Sequence, residues 1–118
     1  MQTAPKKFAR LGTTLLMAAA AVLLAAGVEA QQSVSVEIAV KNHRFEPAEI
    51  HAPANRPITL SIRNLDTAAI EFESVSLRVE KVIAANSRGL INLRPLQPGR
   101  YKFFDDFHPE TQGTLVVP

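Results

Sequence analysis

Between residues 33 and 40 the chain alternates. Val34, Val36, Ile38 and Val40 are apolar, and Ser33, Ser35, Glu37 and Ala39 are polar or small. A two-residue period puts the apolar side chains on one face of an extended segment, so the pattern predicts a half-buried strand. The alternation returns at Ile58, Leu60 and Ile62, separated by Thr59 and Ser61. Ile70 to Ser74, Leu77 to Ile83, Leu90 to Leu93, Arg100 to Phe104 and Thr114 to Val117 read as further strands, and 49–52 as a short edge strand. Asn55-Arg56-Pro57, Asn86 to Gly89 and Pro98-Gly99 are turn signals, the last suited to the centre of a type II turn. Residues 41–48, 64–69 and 105–112 read as loops. No amphipathic helix or internal repeat follows residue 30. Seven or eight short strands at regular spacing predict an all-β domain, an antiparallel β-sandwich or Greek-key barrel. Val34, Val36, Ile38, Leu60, Ile62, Phe72, Tyr101, Phe103, Leu115 and Val117 are its expected core.

The first thirty residues follow another logic. Lys6, Lys7 and Arg10 precede a stretch from residue 11 to 26 that is almost wholly apolar, and Val28 and Ala30 are small. Positive start, apolar run and small residues are the pattern of a secretory signal peptide cut after Ala30. The run is shorter than the roughly 20 residues of a spanning helix. The reading is therefore a signal peptide over 1–30 and one exported domain over 31–118, periplasmic and without membrane insertion of the mature part.

That division changes the charge. The chain has 13 Lys and Arg against 11 Asp and Glu and a pI near 9.3. The leader holds three of the basic residues and one acid, leaving ten of each. A neutral mature domain gives no reason to expect nucleic acid as a partner. With no cysteine in the chain, stability must come from packing and sheet hydrogen bonds. No nucleophile elbow or glycine-rich phosphate loop is present, which argues against a hydrolase or nucleotide enzyme.

Two acidic segments beside predicted strands carry the chemistry: Glu71-Phe72-Glu73-Ser74 and Asp105-Asp106-Phe107-His108-Pro109-Glu110. Alternation puts Glu71 and Glu73 on one strand face and Phe72 on the other. By the same rule Asp105 shares a face with Tyr101 and Phe103 and points inward, where a carboxylate is costly unless paired or metal-bound. Carboxylate oxygen and imidazole nitrogen suit iron, manganese, zinc or copper(II). Glu71, Asp105 and His108 are the first-choice ligands and are expected to converge at one end of the sandwich. Glu73 and Asp106 come next. Glu80, beside Lys81, reads as an exposed strand face with a peripheral metal contact as the alternative. His43, in the charged loop Asn42-His43-Arg44, reads as surface first and ligand second. His51 receives no role.

The run from Pro98 to His108 resembles the C-terminal frame of blue-copper proteins, Y-x-F-x-C-x-x-H, through Tyr101, Phe103, Asp105 and His108. Gly113 to Val117 resembles their closing strand, and Phe45-x-Pro47 and Asn64-Leu65-Asp66 add to the likeness. The resemblance implies a cupredoxin-like fold over residues 34–118. It also implies that Asp105 stands at the thiolate position, Glu71 at that of a histidine ligand and Thr111 near that of a methionine. A blue-copper centre requires a thiolate, so blue-copper electron transfer is excluded by composition.

Glu71 to Ser74, Glu80-Lys81 and Phe103 to His108 more closely resemble a cysteine-free branch of the cupredoxins, found as periplasmic components of bacterial iron-uptake systems. That resemblance implies iron or copper as the bound ion, delivery or assisted oxidation as the task, and an iron permease complex with a separate periplasmic metal-binding protein as partners. A ferroxidase role is left open. The alternative is a metal-free cupredoxin scaffold whose acids dock a basic partner.

Overall fold

A computed structural model describes residues 2–4 and 32–118. The expected signal peptide and its cut after Ala30 lie almost wholly outside the described residues. From Val34 onward the chain forms nine strands: β1 (Val34–Lys41), β2 (Arg44–Glu46), β3 (Glu49–His51), β4 (Ile58–Asn64), β5 (Ile70–Ser74), β6 (Val79–Ile83), β7 (Arg88–Leu93), β8 (Gly99–Asp105) and β9 (His108–Val117). They make two sheets, one ordered β2-β1-β4-β7 and the other β3-β9-β8-β5-β6. The architecture is the all-β sandwich that the alternation predicts, and the resemblance of the C-terminal frame is what implies its cupredoxin-like form.

The two inner faces supply the core. Ile38, Leu60 and Ile62 from the first sheet meet Phe72, Phe103, Leu115 and Val117 from the second, all nearly inaccessible. Phe103 lies flat against Phe72, with centroids 5.0 Å apart, and both meet the edge of Phe45. Val34 and Tyr101, expected in the core, are only partly buried and pack at its margin. The Tyr101 hydroxyl donates to the Gln97 carbonyl at 2.7 Å, so its polar tip stays at the surface end of the ring.

Three features differ from the sequence reading. Arg44–Glu46, expected as loop, pairs antiparallel with β1 through a two-residue turn. The segment 105–112, also expected as loop, is mostly strand: β9 runs back to His108, with a bulge at Phe104/Asp105. Pro109, Glu110 and Gln112 face solvent and Thr111 points inward, while the backbone still completes a ladder. Finally, the sheets are mixed. β1 pairs parallel with β4, and β3 parallel with β9, because the chain crosses between sheets instead of folding as simple hairpins.

Candidate metal centre

Strand β5 lies between β6 and β8 and carries the first acidic segment. Ile70, Phe72 and Ser74 face the core, and Glu71 and Glu73 lie half-buried on the outer face. Phe72 stands opposite Asp105 on β8, while Glu73 stands opposite Phe104 on β8 and Glu80 on β6. One step further, the Asp106 N–H donates to the Glu71 carbonyl at 2.8 Å, which brings the Asp106 side chain beside Glu71. The register thus gathers four carboxylates on one outer face, from β5, from β6 and from the turn that follows β8.

Glu71, Glu73 and Asp106 each offer a donor oxygen, and these oxygens lie within 4.8 Å of one another. The fourth acid, Glu80, shares a hydrogen bond with the Glu71 carboxyl. That bond is the main reason the Glu71 pKa is pushed up to about 7, with partial desolvation and the charges of Glu80, Asp106 and Glu73 adding to it. The Glu73 carboxyl is also raised, by desolvation first and then by the charges of Asp106 and Glu80. Two carboxylates can share a hydrogen bond only if one holds a proton. A cation placed among the oxygens would displace that proton and remove the repulsion.

Asp105 belongs to a different environment. It is fully buried, as its place after Phe103 predicts. Its Oδ1 accepts the N–H of Glu71 at 2.9 Å and that of Phe107 at 3.1 Å. Its Oδ2 lies 3.3 Å from Nδ1 of the half-exposed His108. Glu71 therefore meets Asp105 through its backbone, while its carboxylate lies on the outer face with Glu73 and Asp106. The expected convergence of Glu71, Asp105 and His108 is replaced by two groups. The cause is register: pairing Phe72 with Asp105 puts those two on the core side and Glu71 on the other.

His43 joins the second group. Its ring packs on His108, with centroids 4.3 Å apart and planes tilted by 43°. Thr111 Oγ1 donates to the His43 carbonyl at 2.6 Å. Asp66, to which the sequence reading gave no site role, accepts the N–H groups of Asn42 at 2.7 Å and His43 at 3.0 Å. The N–H of His43 above all, with that of Asn42 and the nearby imidazoles, holds the Asp66 carboxyl below its usual range. An asparagine leading a two-residue connection was the available signal for a tight turn at 42–43.

The residues at the thiolate end do not fit a blue-copper ion. Both oxygens of Asp105 already have partners, Thr111 is spent on the His43 carbonyl, and no buried side-chain polar atom among the described residues lacks a hydrogen bond. The outer carboxylates do suit a hard cation, being oxygen donors that repel one another without one.

The comparisons with known proteins agree with this architecture. The chain is 40% identical over 85 residues to an uncharacterised protein of Rickettsia prowazekii (strain Madrid E), a match covering 71% of this chain and 68% of that one. Among solved structures it is similar to a Cu(I)-loaded metal-binding domain of the Cu(I)-exporting P-type ATPase CopA of Streptococcus pneumoniae. There the TM-score is 0.62 at 16% identity, covering 71% of this chain and 84% of that one. A reduced Cu(I) form of an amicyanin variant matches with TM-score 0.59 at 15% identity, covering 74% and 85%. A cupredoxin-like domain matches residues 13–117, and the chain belongs to the cupredoxin-like domain family.

Proposed function

We propose that this chain is an exported metal-binding protein of the periplasm that takes iron, with copper as a competing ion, on the outer face of its five-stranded sheet and serves iron transport. The observation that carries the reading is the convergence of the Glu71, Glu73 and Asp106 oxygens within 4.8 Å, with Glu80 hydrogen-bonded to Glu71. Oxygen donors favour hard cations. Three carboxylates on a solvent-facing sheet leave the remaining coordination positions to water, which suits an ion that is picked up and handed on. The likeness of Glu71 to Ser74, Glu80-Lys81 and Phe103 to His108 to the cysteine-free cupredoxins of iron-uptake systems supports iron as cargo. It also supports an iron permease complex and a second periplasmic metal-binding protein as partners.

Calorimetric titration with iron(II) under anaerobic conditions, and with copper(II), tests this on the wild type and on Glu71→Gln and Glu73→Gln. Iron(II) affinity should fall at least about tenfold in each variant, since each loses a charged ligand. Affinity in the wild type should rise with pH through the range near 7, because the ion competes with the proton on Glu71. Unchanged affinity in both variants would refute the site. Absence of iron binding by the wild type would instead favour the acids as a docking patch for a basic partner.

A further inference from the structure

The two sheets meet edge to edge along β6 and β7, each the last strand of its sheet. At one end of this seam they are in close contact. A Cβ on Gly89 would lie 2.8 Å from the Ile83 side chain, and Lys81 Nζ donates to the Leu90 carbonyl at 3.1 Å. At the other end a cleft of about 510 Å³ lies between the start of β6 and the end of β7. None of its lining residues belongs to the outer acidic patch or to the loop between β8 and β9. Its size is that of small-molecule sites, roughly 300–1,000 Å³. Leu93 is buried, and Leu77, Val79 and Leu96 are partly buried against the core, so the cleft has an apolar wall. The charged residues that line it are Arg78 and Arg94, both exposed and both positive. Among the described residues neither forms an ion pair, the pairs being those of Arg100 and His51 with Glu49 and of His108 with Asp105. A cleft lined by charge of one sign draws in the opposite sign.

Arg78 is placed there at a backbone cost. Ser74 and Val79 pair across a four-residue connection, and Arg78 is its last residue, with φ of 54°. Glycine or asparagine suits that left-handed conformation, and a bulky side chain is an outlier in it. The other described non-glycine residues with positive φ are asparagines and one histidine. The connection is held in shape from within. The Leu77 N–H donates to Ser74 Oγ at 3.2 Å, the Arg78 N–H donates to the Val75 carbonyl at 3.2 Å, and Ser74 Oγ donates to the Lys102 carbonyl at 2.6 Å. A residue kept in a conformation that is costly for it points towards a task for the side chain.

We propose that the cleft between β6 and β7 binds a small carboxylate with an apolar body. The hydrocarbon lies against Leu77, Val79, Leu93 and Leu96, and the carboxylate is held by Arg78 and Arg94. A guanidinium meets a carboxylate through two parallel hydrogen bonds, a geometry that lysine does not offer. An exposed ion pair alone is weak in water, and burial of the hydrocarbon supplies the rest of the affinity. The positive rim disfavours an amine of the same shape, and an alcohol lacks the charge. The site shares no residue with the proposed iron site and does not rest on that reading.

The test is sodium octanoate titrated into isotopically labelled protein expressed from the full-length chain, with metal removed, followed by amide chemical shifts. Octanoate should saturate and should move the amides of Leu77, Val79, Leu93 and Leu96 together. Octanol and octylamine should bind at least about tenfold more weakly, since each lacks the charge-assisted hydrogen bonds. Arg94→Gln should lose about tenfold in octanoate affinity for the same reason. Arg78→Gly should lose as much while unfolding at a higher temperature than the wild type, because glycine relaxes the left-handed position. Weaker binding by a more stable protein cannot come from a damaged fold. The absence of a saturable shift, shifts centred elsewhere, octanol bound as tightly as octanoate, or unchanged affinity in both arginine variants would overturn the proposal.

Discussion

Replacing Asp105 by alanine should destabilise the metal-free protein by about 3 kcal/mol, and the structure gives the reason. The carboxylate is fully buried and accepts the backbone N–H groups of Glu71 and Phe107. Alanine leaves both donors without an acceptor. A donor stranded away from water costs about 1–3 kcal/mol; both are only part-buried, so the lower half of that range applies to each. Loss of the contact with His108 Nδ1 at 3.3 Å adds a smaller amount. A domain of this size has about 4–13 kcal/mol in all, and each kcal/mol lowers Tm by about 4–8 °C. The expected drop is therefore about 12–24 °C. Asp105→Asn keeps an oxygen for both amides and should cost about 1 kcal/mol. Urea unfolding followed by circular dichroism, with metal removed, measures all three proteins. The sign decides the role. A buried carboxylate kept only to bind metal would be unpaired in the metal-free protein, and its removal would stabilise. If Asp105→Ala is as stable as the wild type or more so, the clamp reading is wrong.

Three further outcomes follow from the same contacts. The raised Glu71 carboxyl, about 7 when folded, binds its proton more tightly in the folded chain than in the unfolded one. Its contribution is therefore full below about pH 4.5 and lost as pH rises through about 7; Glu71→Gln should flatten the fall in Tm between pH 5 and 8, and an identical pH profile would contradict the shared proton. At Gly113 an added Cβ would lie 2.4 Å from the Phe103 ring and 3.0 Å from the Ala48 carbonyl oxygen. Gly113→Ala must push Phe103 off Phe72 and should cost about 1–3 kcal/mol in urea unfolding. Copper(II) should give no intense thiolate charge-transfer band, since the chain has no cysteine; a strong visible band would overturn this.

The strands were legible because each shows its own period. Val36, Ile38 and Val40 are buried at alternate positions of β1 as the pattern predicts, and Ile58, Leu60 and Ile62 are buried in β4, where Ser61 is buried as well. The same rule placed Asp105 inside and put Glu71 and Glu73 together, opposite to Phe72. It could not relate one strand to the next. Alternation fixes which residues of β5 share a face, and likewise for β8, but not which residue of one stands beside which of the other. A register shifted by one residue would have set Glu71 beside Asp105, as the sequence reading expected. The actual pairing of Phe72 with Asp105 separates the carboxylates into an outer patch and a buried clamp. His43 is exposed, as its place in a charged loop predicts, but its contact with His108 was not legible. That contact depends on a turn geometry and on a residue 65 positions away in the chain.

The exchange of thiolate for carboxylate at position 105 changes what a metal can do for this fold. A buried thiolate relies on a bound cation to offset its charge. Asp105 needs none, because two backbone amides and an imidazole already face it. The loop between β8 and β9 is thus fixed from within: the bond from Glu71 holds it to β5, and the bond from Phe107 closes its bend. The carboxylates proposed to hold an ion are then free to lie where it can reach them, on the outer face of β5. Binding at such places adds stability only by mass action, as the logarithm of free ion over Kd. It does not complete a core that would otherwise be broken. On the proposed function, folding and metal loading are therefore separable, which suits an ion that arrives and leaves while the sandwich stays intact.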